Sequence, residues 1–159
     1  MNKLVMMCGI PGSGKSTWIQ NNKSKRDAWI SRDRIRFSLL KDTDDYFARE
    51  NEVFDLFIYE IIMALKLREN GGIVYADATH LNRKARAKVL NKVSKFADEL
   101  EAVVIDTDLE TALERNDLRE GREKVPRGVI RRMYFQMEKP EETEGFNKIT
   151  YIREDSSNE

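Results

Sequence analysis

Short apolar runs alternate with longer stretches of helical spacing through most of the chain. Residues 4–8 form an unbroken apolar run with a glycine-rich segment directly behind it, the pattern of a buried strand ending in a loop. Residues 16–22 then open a helix, 28–31 read as a second strand, and 32–40 as a helix with Ile35, Leu39 and Leu40 near one face. The region 44–70 reads as helical, continuous or broken, with Phe54, Phe57, Ile58, Ile61, Ile62 and Leu65 on a core face and Gly71-Gly72 as its stop. A third strand at 73–76 precedes a strongly basic amphipathic helix at 82–96, whose Ala85, Val89, Leu90 and Val93 share one side. A fourth strand at 102–105, helices at 109–119 and 129–138 separated by a turn at Gly121 and Pro126, and a fifth, amphipathic strand at 149–152 complete the pattern. Such alternation predicts an α/β fold with a mainly parallel sheet covered on both faces. Residues 155–159 are expected to be disordered, leaving 1–154 as one domain.

Length agrees with that reading, since 159 residues is the size of one ordinary domain. Hydrophobic residues make up 40% and charged residues 35%, enough for a core and a soluble surface, which excludes disorder throughout. Lys+Arg and Asp+Glu both number 28, so bulk charge names no partner. Locally, residues 138–159 carry seven acids and three bases, which reads as a solvated acidic tail, or else leaves a modest positive excess elsewhere that could serve an anionic substrate. The single cysteine, Cys8, forbids an internal disulfide, and no secretory pattern precedes it, so a reducing cytoplasm is expected. The most apolar stretch, 54–67, is interrupted by Asp55, Glu60 and Lys66 and falls short of the roughly 18 residues of a membrane span, so no membrane partner is expected.

Gly9-Ile10-Pro11-Gly12-Ser13-Gly14-Lys15-Ser16 fits the P-loop spacing G-x-x-x-x-G-K-[ST], with Thr17 next. Glycines let backbone N–H groups turn inward around a phosphate, and the helix starting near Ser16 adds the positive end of its dipole. Gly9, Pro11, Gly12, Ser13, Gly14, Lys15, Ser16 and Thr17 are therefore the expected ATP-binding residues. Lys15 would reach the β- and γ-phosphates, and the Ser16 hydroxyl would hold Mg2+. A glycine turn that binds no nucleotide is the alternative; the apolar strand before the loop and the helix after it weigh against that.

Nucleotide binding leaves the phosphoryl acceptor open. Transfer to a hydroxyl needs a carboxylate to take the proton and cations to stabilise the transferring group. The second strand ends in Ile30-Ser31-Arg32-Asp33-Arg34-Ile35-Arg36, and chemistry in a parallel sheet gathers at the carboxyl edge, so Asp33 is expected on the edge of the P-loop. Asp33 and Arg36 share a helix face. Spacing alone leaves two readings, a base beside a cation or an N-cap with solvated arginines.

In order and spacing, residues 8–18, the Arg32 to Arg36 segment, residues 77–82, and Arg115-Asn116 through Val125-Pro126 to Met133-Tyr134 resemble the kinase domain of phage-type polynucleotide 5′-hydroxyl kinases. These segments run through most of the chain. A P-loop is common to many kinases, whereas D-x-x-R after the second strand, followed by R-N, V-P and M-Y, is more specific. The resemblance implies a P-loop kinase fold: five strands in the order 2-3-1-4-5, helices on both faces, and a helical lid at about 115–132. It implies that Asp33 is the general base on the 5′-hydroxyl and that Arg36 contacts the acceptor's 3′-phosphate. Counted from Arg115-Asn116, the lid arginine matches Arg119; one extra residue before Val125-Pro126 makes Arg122 its rival. A surface salt bridge with Glu120 or Glu123 is the other reading of either arginine. Val125 and Val129 match positions that pack on the acceptor's terminal base, or else serve core and lid packing. Asp77-Ala78-Thr79-His80-Leu81-Asn82 matches the family's D-T-N-type segment with one extra residue. Asp77, or a neighbour, is thus expected near Ser16 to help organise magnesium, and Thr79 is expected to face the acceptor.

Other chemical residues read as structural. His80, the single histidine, reads as a polar loop residue, because a metal site needs several ligands. Asp106 reads as a strand-end cap, Cys8 as a small buried residue without chemistry, and Trp18, Trp29, Phe54 and Phe57 as core.

The expected activity is transfer of the γ-phosphoryl of ATP, with Mg2+, to 5′-hydroxyl ends of DNA or RNA, with Lys15, Asp33, Arg36 and Arg119 or Arg122 as catalytic residues. A small-molecule P-loop kinase and a non-enzymatic nucleotide-binding module are the alternatives; Lys15, Ser16, Asp33 and Arg36 together argue against the module. Asp106-Thr107-Asp108 lacks the rest of a D-x-D-x-T phosphatase signature, so 3′-end chemistry would fall to a separate phosphatase or ligase of the same pathway. The expected location is the cytoplasm, that of the host if the protein is phage-encoded.

Overall fold

Leu4, Met6 and Cys8 face one side of the first strand and Val5 and Met7 the other, since successive side chains alternate across a strand. All are buried, which places this strand, β1 (Asn2–Cys8), at the centre of a sheet covered on both faces. The computed structural model describes residues 1–154, and the expected tail at 155–159 lies outside the described residues. β2 (Ala28–Ser31), β3 (Gly72–Asp77), β4 (Glu99–Thr107) and β5 (Lys148–Glu154) join β1 in the order β2-β3-β1-β4-β5, with every pair parallel. This is the expected 2-3-1-4-5 order of a P-loop kinase fold.

Parallel neighbours need crossovers, supplied by α1 (Lys15–Asn22), α2 (Arg32–Leu39), α3 (Glu50–Lys66), α4 (Arg83–Val93), α5 (Leu109–Asp117) and α6 (Arg127–Gln136). On one face Leu4, Met6, Val74 and Ala76 pack with Phe57, Ile61 and Leu65 of α3 and with Val89 and Val93 of α4. On the other, Val5, Met7, Tyr75, Val103 and Ile105 pack on Ile19 of α1, with Trp18 and Trp29 partly buried beside them. Helices begin where a polar side chain accepts an otherwise orphaned N–H: Ser31 from Arg34 (3.2 Å), Asn82 from Ala85 (2.8 Å) and Asp108 from Thr111 (2.7 Å).

The expected helical region at 44–70 is shorter in the structure, running from Glu50 to Lys66. Asp44 explains the late start, because its carboxylate accepts the Lys41 N–H at 2.8 Å and competes with helical pairing. Isolated turns follow, with Asp44 N donating to Lys41 O and Ala48 N to Asp45 O, each at 3.0 Å. The helices expected at 109–119 and 129–138 end and begin earlier, at Asp117 and Arg127. Pro126 sets the second start, since it lacks an N–H and is extended immediately before the helix. Buried Asn116 closes the intervening turn by donating to Val125 O (2.6 Å) and accepting from Val125 N (2.9 Å). Ala112, Leu113 and Ile130 then pack against Ile10, so the 115–132 stretch docks on the glycine loop itself. Among the described residues no helix is long and apolar enough to cross a membrane.

Candidate active site

The loop from Gly9 to Lys15 leaves β1 at the carboxyl edge of the sheet and runs into α1. At Gly12 (φ 82°) a Cβ would lie 2.5 Å from Ala112 O, and at Gly9 one would lie 2.7 Å from Ser13 Oγ, so the cradle admits no larger residue. Ser13 is buried, and its carbonyl accepts from Thr107 Oγ1 (2.7 Å) and Arg115 Nη1 (3.1 Å), which fixes the loop from behind. Its own Oγ is buried with no hydrogen-bond partner among the described residues, a polar atom suited to a polar ligand. Gly12, Gly14, Thr17, Arg115 and Arg119 line a cleft of about 330 Å³ beside the loop.

Lys15 folds back over the loop, with Nζ donating to Gly9 O (2.9 Å) and Ile10 O (3.0 Å). Burial pushes its ammonium below the ordinary lysine range, while the Asp77 and Asp33 carboxylates pull it back up. Both carboxylates thus stand within electrostatic reach of the loop lysine. Ser16 Oγ donates to Asp77 Oδ2 at 3.1 Å, which gives the hydroxyl-and-carboxylate pair expected at 77–82 to Asp77 itself. Mg2+ is bound through one or two protein oxygens together with substrate phosphates, so this pair fits it without a protein cage. Among the described residues there is no cluster of three or more His, Cys, Asp or Glu that would suit a metal held by protein alone.

Asp33 lies just past the carboxyl end of β2, in the first turn of α2. The N-cap is Ser31, so the capping reading of Asp33 is removed. Asp33 Oδ1 accepts an N–H from Arg36 Nη1 and the Tyr46 O–H, the latter at 2.6 Å. Arg36, expected to contact the acceptor's 3′-phosphate, is buried, at 4% exposure. Its Nη1 also donates to Tyr46 Oη (2.8 Å), its Nη2 to Glu50 Oε1 (2.7 Å) and Oε2 (3.0 Å), and its Nε to Glu50 Oε2 (3.3 Å). All three nitrogens of the guanidinium are thus engaged inside the protein. Arg32 donates to the same Glu50 at 2.6 Å.

The rival arginines separate. Arg119 lines the cleft beside the glycine loop, with Nη1 donating to Glu123 O at 3.4 Å. Arg122 turns the other way, donating to Lys41 O and lying 3.7 Å from Asp42 Oδ1. Neither is paired to the Glu120 or Glu123 carboxylate. Thr79 holds the loop through its carbonyl, which accepts the Gly9 N–H at 3.0 Å. Val125 and Val129 are half-buried, Val125 against the Ile130 cluster. Asp106 pairs with Arg153 on β5 at 3.3 Å. Burial pushes the Cys8 thiol up to about 12, so it stays un-ionised.

His80 departs from the expected polar loop residue. It is buried, with φ 42°, its Nδ1 2.6 Å from Met7 O and its ring tilted near Phe57. Burial pushes its pKa down to about 4, partly offset by the bond to Met7 O. The sequence reading also missed Arg86, which is fully buried on the basic helix α4. Its Nε and Nη2 donate to the Glu144 carboxylate (2.8 and 3.2 Å), and its Nη1 donates to His80 O (3.0 Å) and Glu138 O (2.8 Å). Tyr46, Glu50 and the Trp29 indole, which donates to Asp77 Oδ2 at 3.0 Å, were likewise unforeseen. An aromatic pair, Tyr46-Phe47, inside an otherwise polar run was the one available signal.

Sheet order, crossovers and glycine loop together define a P-loop nucleotide-binding domain with the kinase-type fold. Residues 4–140 match the family model described as AAA domain, and the chain belongs to that family. A chain of the Pnkp1/Rnl/Hen1 RNA repair complex is similar in structure, with 23% identity and a TM-score of 0.68 over 85% of this chain and 43% of that one. This chain therefore spans less than half the length of that relative. A fungal RNA kinase (12% identity, TM-score 0.60, 96% of this chain and 75% of that one) is also similar. So is a sugar kinase from Janibacter (16% identity, TM-score 0.58, 98% of this chain and 85% of that one). At these identities the likeness is one of fold.

Proposed function

We propose that this chain transfers the γ-phosphoryl group of ATP to the 5′-hydroxyl of a polynucleotide, DNA or RNA. The observation that carries the reading is the placement of Asp33: a carboxylate just past the carboxyl end of β2, on the sheet edge from which the glycine loop leaves β1, held there by Arg36 and Tyr46. Lys15 exchanges the Gly9 and Ile10 carbonyls for phosphate oxygens, and the loop N–H groups orient the rest of the triphosphate. Ser16 and Asp77 would hold Mg2+, which would supply positive charge to neutralise that of the triphosphate. Asp33 accepts the proton of the attacking hydroxyl. Arg119, on the cleft, is the lid cation that steadies the transferring group, while Arg122 ties the lid to the Lys41 carbonyl and the Asp42 carboxylate. Thr79, Val125 and Val129 border the acceptor. The similarity to a chain of an RNA repair complex and to an RNA kinase supports a nucleic-acid acceptor, and a partner phosphatase or ligase would complete such a pathway.

One observation favours a second reading, a small-molecule kinase. Arg36 is buried with all three guanidinium nitrogens engaged inside the protein, so a contact to an acceptor 3′-phosphate requires it to loosen from Glu50 or Asp33. Transfer of labelled γ-phosphate to matched 5′-hydroxyl DNA and RNA oligonucleotides, nucleoside 3′-phosphates, nucleosides and sugars separates the two. Strong preference for an oligonucleotide supports the first reading; labelling of sugars or bare nucleosides alone rejects it.

A further inference from the structure

The Asp33 side chain is 57% exposed on the first turn of α2. An exposed aspartate has several staggered rotamers open to it, and a base that moves among them is seldom aligned with its hydroxyl. Here one oxygen is taken twice, Oδ1 accepting from both Tyr46 Oη and Arg36 Nη1. We infer that Tyr46 is a positioning residue for Asp33, fixing the carboxylate through Oδ1 so that Oδ2 takes the acceptor's proton; this rests on the reading of Asp33 as the base.

The phenol is itself aimed by its surroundings. The Arg36 guanidinium lies 4.2 Å from the ring centroid, Phe47 packs edge-on at 4.6 Å and Phe37 at 6.1 Å. Tyr46 Oη accepts from Arg36 while donating to Asp33, so the three side chains close a ring of hydrogen bonds. Glu50 anchors the arginine corner from α3. Burial, and then the Asp33 charge and hydrogen bond, raise the Tyr46 phenol above its ordinary value, which keeps it protonated as a donor. The charged groups facing this carboxylate are Arg36 and, through space, Lys15, with Glu50 behind Arg36.

The chemistry balances without a proton from Tyr46. The acceptor oxygen forms a bond to the γ-phosphorus as the bond to the ADP oxygen breaks, and the hydroxyl proton passes to Asp33 Oδ2. A donor on Oδ1 fixes the direction of the carboxylate.

Tyr46→Phe keeps the ring and removes only the hydroxyl. In this variant kcat should fall about tenfold with KM for ATP unchanged. With Asp33→Asn already in place, adding Tyr46→Phe should lower kcat no further, because the phenol acts only through the carboxylate. Unchanged kcat in Tyr46→Phe alone overturns the inference, whatever happens to the melting temperature. A further fall of about tenfold on adding Tyr46→Phe to Asp33→Asn overturns it too, since the hydroxyl would then act by another route. Undiminished transfer by Asp33→Asn removes the base reading itself, and that variant alone distinguishes the two failures.

Discussion

The Trp29 indole N–H and the Ser16 hydroxyl converge on one oxygen, Asp77 Oδ2, at 3.0 and 3.1 Å. Strand register brings this about: Trp29 stands opposite Tyr75 in the β2–β3 pair, two places before Asp77 and on the same face. The carboxylate that faces the glycine loop is thus oriented by the strand beside it.

Lys15→Ala and Ser16→Ala should each lower transfer about a hundred- to a thousandfold on oligonucleotides and nucleoside 3′-phosphates alike, because both act on the donor's side of the reaction. Labelled γ-phosphate transfer measures this. Near-normal turnover in either variant would remove the loop from the mechanism.

Asp33→Asn should bind ATP as the unmodified protein does while transfer falls about 10²- to 10⁴-fold, since an amide keeps the shape but accepts no proton. ATP titration calorimetry and single-turnover kinetics report the two quantities separately. Weakened ATP binding with normal chemistry at saturation would make Asp33 structural.

Arg119→Ala should reduce kcat on the order of 10³-fold, the scale of an arginine that neutralises charge in the transition state. Arg122→Ala should leave kcat near normal, because its guanidinium is directed at Lys41 O and Asp42. The reverse ranking would hand the lid role to Arg122.

Arg36→Ala should lower transfer to a nucleoside 3′-phosphate and to the bare nucleoside by similar factors, because Arg36 acts on Asp33 and Glu50 within the protein. The assays belong below the variant's melting temperature. Loss confined to the phosphate-bearing acceptor would show instead that Arg36 leaves Glu50 to meet that phosphate.

His80 should make the fold acid-sensitive. Its folded-state pKa, about 4, lies below the ordinary 6.5, so between those values the unfolded chain binds a proton that the folded chain does not. Stability present above pH 6.5 is therefore lost as pH falls towards 4, by about 3 kcal/mol at the limit. His80→Asn, which tolerates the positive φ, should flatten that slope in urea unfolding measured against pH. An unchanged slope would assign the acid sensitivity to other groups.

The parts of the site that were legible in the sequence are those fixed by local geometry. Gly9 to Ser16 can be read because the phosphate cradle is a contiguous run whose glycines, lysine and serine stand at fixed spacing in the chain. Asp33 can be placed because it follows a strand, and the 2-3-1-4-5 order came with the resemblance those segments carry. Tyr46 and Glu50 were hidden because they meet Asp33 and Arg36 only after the chain folds back across the 41–49 turns. Arg86 looked like one more solvated cation on α4, and only Glu144, 58 residues away, makes its burial tolerable. That Arg119 lines the cleft while Arg122 reaches Lys41 O is a tertiary arrangement that no spacing within the lid could reveal.

Arg86 gives the site a hinge pin that lies outside it. Through one guanidinium, the His80 carbonyl in the loop after β3 is bolted to the Glu138 carbonyl and the Glu144 carboxylate ahead of β5. The loop after β3, whose Thr79 carbonyl accepts the Gly9 N–H, thus takes its bearing from residues outside the cleft lining. Loss of Glu144 would reach the glycine loop through Arg86 and this connection, without touching a residue that lines the cleft.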